Sequence, residues 1–254
     1  MKILGGGALC LSLFIAASAA AQDTALLRSE VAAIKAKLTT VQQAMGGDPA
    51  GYLQESEDFS LPTEVNPAQG GRFWPITSSV RMRFTDRAIK EVAATAEQAG
   101  KDFQARYAAA IANGNTDAIV SLTEEMTRIQ TAAAAAAMNP AQKQPLQVTV
   151  QLNMNPTVGI DPDAVVLEQP GVIALRRKNN SGDDRGEVTV YVDPVALKAT
   201  QELAKIELRT ADNGVTNKTG VYHVVIQMNG SLADMESWVA KFDFAKILGV
   251  IDPR

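Results

Sequence analysis

A stretch of strict alternation constrains the fold of this chain more than any other feature. Between Leu146 and Met154 every second residue is apolar, and the residues in between are polar: Gln147, Thr149, Gln151 and Asn153. Successive side chains of a strand point to opposite faces, so the pattern predicts a strand with one buried and one wet face. Parallel strands are instead buried on both faces, so one-sided strands favour a mostly antiparallel sheet.

Other segments extend this sheet. Val80, Met82 and Phe84 alternate with Arg81 and Arg83, which predicts a second one-sided strand. Residues 172–177 and 187–192 read as a hairpin, and residues 221–228 read as a later strand.

Several helices are expected around the sheet. Two amphipathic segments, from Thr85 to Ile111 and from Ile119 to Ala136, are separated by Asn113-Gly114-Asn115, which predicts an antiparallel helical hairpin. Thr85 is the predicted cap of its first helix. The pair Asn139-Pro140 would end the hairpin. Asp193-Pro194 is a capping signal for a helix to about Ala204, and Ser231 begins a last one.

Together these elements predict an α+β domain from about residue 79 to 254. It has two layers: a mostly antiparallel sheet, and helices covering one of its faces. We expect the long helical hairpin to be part of that cover and the other face of the sheet to be wet.

The N-terminal part carries a heptad pattern. The spacing of its apolar residues is 4, 3, 4, 3, 4, as in the seam of a coiled coil: Leu27, Val31, Ile34, Leu38, Val41 and Met45. A helix within residues 22–46 is too short to be stable alone. Its partner is a second copy, its own domain or a foreign helix. Residues 47–78 are rich in Gly and Pro and are expected to be a linker.

Residues 1–21 have the three parts of a cleavable signal peptide: Lys2, an apolar core and a small-residue end at Ala19-Ala20-Ala21. Cleavage removes the single cysteine, Cys10, and therefore any disulfide or cysteine-ligated metal. The mature chain would be periplasmic or secreted. It would contact a membrane only through the signal peptide, before cleavage.

The charge of the mature chain disfavours nucleic acid as a partner. Loss of Lys2 leaves 24 − 1 = 23 basic residues against 28 acidic ones, a net charge of −5. Nucleic-acid-binding proteins instead carry basic patches or stripes. No long basic run is found in the sequence.

No catalytic, cofactor or metal-ligand motif is found in the sequence. His223 is the only histidine, and it stands in a predicted strand without a partner for catalysis or metal binding, so a structural role is favoured. The wet face of the sheet is a candidate interaction surface for a protein or an anionic polymer, against the simpler interpretation of a solvated face. Its candidate residues are Arg81, Arg83, Gln147, Gln151 and Tyr191.

These features favour an exported, non-enzymatic envelope protein that acts in binding or assembly. It would self-associate or dock on a protein partner through the N-terminal helix. The alternative is a small-molecule or lipid carrier with its ligand held between the helices and the sheet. A hydrolase is a third and weaker hypothesis, because it requires titratable side chains that converge in a cleft.

Overall fold

A computed structural model describes residues 24–138, 143–154, 156–179, 184–209 and 214–252. The predicted signal peptide and the predicted stop signal Asn139-Pro140 lie outside the described residues. Among the described helices, none combines the length and the hydrophobicity that a membrane crossing requires.

The centre of the molecule is a seven-stranded sheet with the order β1-β2-β3-β9-β7-β6-β5, in which every neighbouring pair is antiparallel. Strands β4 and β8 pair with each other in a separate small sheet. The strands are β1 (Tyr52–Ser60), β2 (Ser78–Asp86), β3 (Leu146–Leu152), β4 (Thr157–Gly159), β5 (Val165–Gln169), β6 (Val172–Lys178), β7 (Arg185–Val192), β8 (Lys205–Glu207) and β9 (Val224–Ser231). The predicted α+β class and the predominance of antiparallel strands are confirmed.

The described helices are α1 (Arg28–Ala44), α2 (Arg87–Ala112), α3 (Thr116–Ala137), α4 (Leu232–Val239) and α5 (Phe244–Leu248). Side-chain oxygens of the residues before α2, α3 and α4 accept backbone N–H groups in their first turns: Asp86, Asn115 and Ser231. Such caps supply partners that a helix start lacks. For α2 the cap is therefore Asp86, one residue after the predicted Thr85.

The main core lies on one face of the sheet. The predicted apolar sides of β2 and β3 are fully buried there, together with Val188 and Val190 of β7 and Ile226 of β9. Helices α1, α4 and α5 cover this face through apolar side chains: Ile34, Leu38, Val41, Met235, Trp238, Val239 and Ile247. Burial of this face away from water is the main stabilising contribution.

The helical hairpin was expected to cover this face as well, and that prediction is wrong. Helices α2 and α3 pack on each other, and the hairpin meets the sheet where α2 begins, at β1 and β2. The apolar residues of α2 and α3 therefore do not cover the sheet. We call this projecting element, residues 87–137, the arm.

The opposite face of the sheet is wet over only part of its area, which also corrects the two-layer prediction. A second apolar cluster covers the β6–β7–β9 end, where Ile173, Tyr191 and Val225 pack under Leu197, Ile206 and other residues of segment 193–209. The helix predicted after Asp193-Pro194 is absent from the described residues. That stretch consists of turns and a 3₁₀ turn, Thr200–Glu202, before β8.

The predicted linker also contains regular structure. Strand β1 occupies its middle and pairs with β2, with an irregular register between Gln54 and Ser56. Residues 52–61 contain neither Gly nor Pro, so a strand of this length is compatible with the sequence. Since α1 and β1 contribute to the main core through Leu38 and Tyr52, the folded unit begins before residue 79.

Candidate functional site

The heptad seam of α1 packs on the protein's own sheet. Ile34, Leu38, Val41 and Met45 are buried in the main core, whereas Val31 is half-buried and Leu27 is 66% exposed. This arrangement corresponds to one of the three partners that the pattern allowed. Docking of this seam on another chain stays a prediction, and it would require α1 to leave the sheet.

The predicted polar face is present over β2 and β3, but one of its predicted residues, Tyr191, is buried. Arg81, Arg83 and Gln147 are exposed, and Arg83 pairs with Gln147 across the two strands. Gln151 is half-buried. Tyr191 is 6% exposed because segment 193–209 covers it, and its burial raises the pKa of its phenol. Tyr191 therefore does not belong to an open surface.

The arm is an antiparallel pair of helices whose contact is thin. Among its described side chains only Ala110 and Leu122 are buried. The rings of Phe103 and Tyr107 stack on α2, with centroids 5.2 Å apart. The arm's other large apolar side chains are half-buried or exposed, so the arm buries far less of its own apolar surface than the body does.

Large apolar side chains are left without cover on the arm and next to it. Ile111 is 56% exposed and Val120 is 53% exposed, both near the turn that joins the helices. Met138, directly after α3, is 83% exposed. Single exposed apolar residues are common on protein surfaces. Here they lie on an element that projects from the body and has little core of its own.

The arm is fixed to the body by a polar cluster at its root. Asp86 caps α2 by accepting the Ala88 N–H at 2.8 Å, and its other oxygen accepts the Lys143 N–H at 2.8 Å. One carboxylate thus binds the chain where it enters the arm and just after it returns. Arg87 adds a hydrogen bond to the Tyr52 carbonyl at 3.1 Å.

Lys143 extends this cluster into the body. Its ammonium donates to Asp234 at 2.6 Å, and it lies 5.0 Å from the centre of the Tyr52 ring. The Tyr52 hydroxyl donates to the second oxygen of Asp234 at 3.0 Å. Burial, followed by the bond to Asp234, raises the pKa of Tyr52 well above its ordinary value, so the hydroxyl stays a donor. We call Tyr52, Asp86, Lys143 and Asp234 the arm root.

His223 lies in a buried site rather than in an open cleft. Its Nδ1 is 3.0 Å from the Arg209 carbonyl, and its Nε2 is next to the Met154 carbonyl. Burial lowers its pKa, although the Met154 carbonyl and Asp193 act in the opposite direction. A neutral imidazole donates to only one of these two carbonyls, and the ring is enclosed between them, which favours the structural role inferred from the sequence.

No group of three or more His, Cys, Asp or Glu side chains that could hold a metal ion is found in the described part of the chain. The chain matches no family model, and comparison with curated proteins and with solved structures gives no match either. Its function therefore has to be inferred from the surfaces described above.

The arm root and the exposed side chains of the arm were not predicted from the sequence. Asp86 stands next to the predicted cap Thr85, so a local signal for it existed. Lys143 and Asp234 are 57 and 148 positions further along the chain than Asp86, and no local pattern relates them. Ile111 is exposed because the arm projects from the body. The helical periodicity does not indicate whether the hairpin packs on the sheet or projects from it.

Proposed function

We propose that this chain is an exported, non-enzymatic protein that acts in assembly, and that its arm pairs with the arm of a second copy. The observation that carries the proposal is the arm itself. It is a long helical hairpin, fixed at its root, with only Ala110 and Leu122 buried among its described side chains. A helical pair with so little core gains stability when a further apolar layer packs on it.

The size of the arm suits a protein interface. At about 1.5 Å per residue, helices of 26 and 22 residues are about 39 and 33 Å long. Two such helices side by side, each about 10 Å wide, present a face on the order of 650 Å². A standard interface buries about 800 Å² on each partner, so one face of the arm is close to the required size.

The composition of the arm favours a copy of itself as the partner. Residues 87–137 contain 17 alanines in 51 positions, and small side chains allow helices to approach closely. The arm carries 5 basic and 6 acidic residues, a net charge of −1. Two arms would therefore repel each other only weakly, and Arg106 and Glu125 already pair with each other at 3.1 Å within one arm.

This proposal replaces the N-terminal helix as the docking element, because four residues of that helix's seam are already covered by the sheet. The absence of an enzymatic role stays part of the proposal. It is supported by the burial of His223, which lies between two backbone carbonyls and away from any open cleft.

Sedimentation velocity on residues 22–254 tests the proposal. We expect a reversible dimer, and we expect Val120→Asp to weaken it at least tenfold, because about 1.4 kcal/mol is lost when a charge enters an apolar contact. Val195→Asp is the matched control, since Val195 is 43% exposed but lies on the body. Circular dichroism should show equal helix content in both variants.

A wild-type protein that stays monomeric at its highest soluble concentration would exclude pairing of the arms. Equal weakening of the dimer by Val120→Asp and Val195→Asp would place the interface elsewhere. Loss of the dimer on removal of residues 22–46 alone, with Val120→Asp inactive, would restore the N-terminal helix as the docking element.

A further inference from the structure

A groove lies beside α1 on the helical side of the sheet. Helix α1 packs over β2 and β3, and the outermost strand β1 lies beside it, with Lys35 of α1 over the Phe59 ring. The groove has a volume of about 450 Å³ and is bounded by Thr39, Gln42 and Gln43 of α1 on one side and by Gln54, Glu57 and Phe59 of β1 on the other. Small-molecule sites have volumes of roughly 300–1,000 Å³.

The backbone after α1 keeps this groove open. Gly46 and Gly47 both have positive φ, 82° and 81°, so the helix ends there and the chain turns toward β1. A Cβ on Gly47 would meet no atom within 4 Å. The groove is therefore a consequence of where α1 stops, and the apolar core continues beneath it.

The floor of the groove is apolar and adaptable. It consists of Met45, Met82, Phe84 and Trp238, which are 1%, 1%, 2% and 4% exposed, so a ligand contacts them fully only when the floor rearranges. The rings of Phe84 and Trp238 meet edge to face, with centroids 5.4 Å apart and an angle of 76° between their planes. Methionine side chains are flexible and polarisable, so this floor can adjust to a flat molecule. Aromatic rings favour planar partners through stacking and edge contacts.

One polar group in this floor lacks a partner. The Trp238 side chain belongs to the buried core at 4% exposure, and its indole Nε1 has no hydrogen-bond acceptor in the described part of the chain. A buried donor left without an acceptor costs about 1–3 kcal/mol. A ligand oxygen that reaches Nε1 when the floor side chains shift would supply the missing acceptor.

The rim of the groove carries both signs of charge. The Lys35 ammonium lies 4.6 Å from the centre of the Phe59 ring, and Asp48 and Glu57 stand at the groove as well. Gln42 and Gln43 of α1 add amide groups. A rim of mixed charge gives no strong preference for either sign, and an apolar floor penalises a charged body.

We propose that this groove binds a planar, uncharged small molecule that presents a hydrogen-bond acceptor to Trp238. Its apolar body would lie on Phe84 and the two methionines, and its polar edge would face the amides of α1. The groove is separate from the arm, so the ligand proposal and the assembly proposal can be tested independently.

Nile red tests this site, because it is planar and uncharged, carries a carbonyl acceptor and brightens in apolar surroundings. In a Trp74→Phe background, Trp238 is the only tryptophan of the chain. We expect saturable binding at one site, with energy transfer from Trp238 to the dye. Trp238→Phe removes the N–H together with the five-membered ring of the indole, and should weaken binding, read from the dye's own emission, roughly three- to tenfold.

Two variants on α1 localise the dye. Thr39→Trp places a large side chain in the groove and should abolish the Nile red signal. Thr40→Trp is the matched control, since Thr40 is the next residue and is not part of the groove, and it should bind like the parent. Anilinonaphthalene sulfonate, an anionic dye, should bind at least tenfold more weakly than Nile red.

The proposal is overturned if Nile red shows no saturable signal, or if Thr39→Trp and Thr40→Trp bind it equally. Equal affinity for the anionic dye would contradict the uncharged ligand class. An unchanged affinity in Trp238→Phe would remove the indole N–H from the site.

Discussion

A buried ion pair fixes segment 193–209 over the far end of the sheet. Asp193 has no exposed surface, and the Arg209 side chain is 4% exposed. One oxygen of Asp193 accepts the Arg209 Nε–H at 3.0 Å and the Val195 and Ala196 N–H groups at 2.9 and 3.1 Å. Its other oxygen accepts the Arg209 N–H at 2.8 Å. Asp193 therefore satisfies four donors at once.

Asp193→Asn removes the charge while keeping the size of the side chain. The amide oxygen can still accept the Val195 and Ala196 N–H groups and the Arg209 Nε–H, but the amide NH₂ then faces the Arg209 backbone N–H, and the guanidinium loses its counter-charge. Breaking a buried pair on one side costs about 3–5 kcal/mol, because the remaining charge is left unpaired. For a chain of this length each kcal/mol lowers the melting temperature by about 2–4 °C, so we expect a decrease of about 6–20 °C.

Thermal and urea unfolding of four proteins measure this effect: the parent, Asp193→Asn, Arg209→Met and the double variant. The double variant leaves no orphan charge, so it should be at least about 2 kcal/mol more stable than the sum of the single losses predicts. Arg177→Ala is the surface control. Its ion pair with Glu187 leaves the Arg177 side chain 80% exposed, and its loss should cost less than about 1 kcal/mol.

Two results would refute this reasoning. The first is an Asp193→Asn variant that loses no more stability than Arg177→Ala, because the carboxylate would then not be holding a buried charge. The second is a double variant whose loss equals the sum of the single losses, because the two side chains would then act independently.

Three further changes test other parts of the fold. Asp86→Ala removes a cap and the Lys143 contact, so it should cost about 1–3 kcal/mol and speed hydrogen exchange in the arm. Equal acceleration in the sheet would contradict a local role for the arm root. Gly186→Ala places a Cβ 2.5 Å from a backbone oxygen of β6, whereas Gly159→Ala meets no atom within 4 Å. We expect a loss of about 1–3 kcal/mol in urea unfolding for the first and little change for the second; equal losses would contradict the close contact. Burial lowers the pKa of His223 in the folded chain, so the unfolded chain takes up the proton first as the pH falls. The unfolding free energy should therefore decrease from about pH 7 down to the folded pKa, and His223→Gln should lose this component of the slope. An identical slope in urea titrations of both proteins between about pH 5 and 8 would contradict it.

The strands that alternate cleanly were predictable, and the outer strand was not. The apolar positions of β2 and β3 are buried as their pattern predicts, because each strand has one face on the core. Strand β1 contains four exposed residues in succession, from Glu55 to Asp58. An edge strand needs no alternation there, so its only signal was the absence of Gly and Pro between Gly51 and Pro62.

The sequence also indicated that one end of the polar face is buried, although the alternation of polar and apolar residues does not show it. Residues 172–175 are all apolar and all buried, which is typical of a strand that is covered on both faces. Tyr191 lies across from Ile173 of that run and is covered with it. The cap at Asp193 was also recognisable. However, the ion pair with Arg209 and the packing of Leu197 under the sheet stopped the helix, and both depend on tertiary contacts.

The chain separates the residues that stabilise it from those proposed to make contacts. Its large buried side chains are concentrated in the body, whereas the arm is one-third alanine, which favours helix without requiring a core. A charge at Val120 should therefore change association while the body stays folded. By contrast, a change at Leu38 would alter the core and any contact of α1 together. This difference makes the arm the surface on which assembly can be tested without confusing lost contact with lost fold.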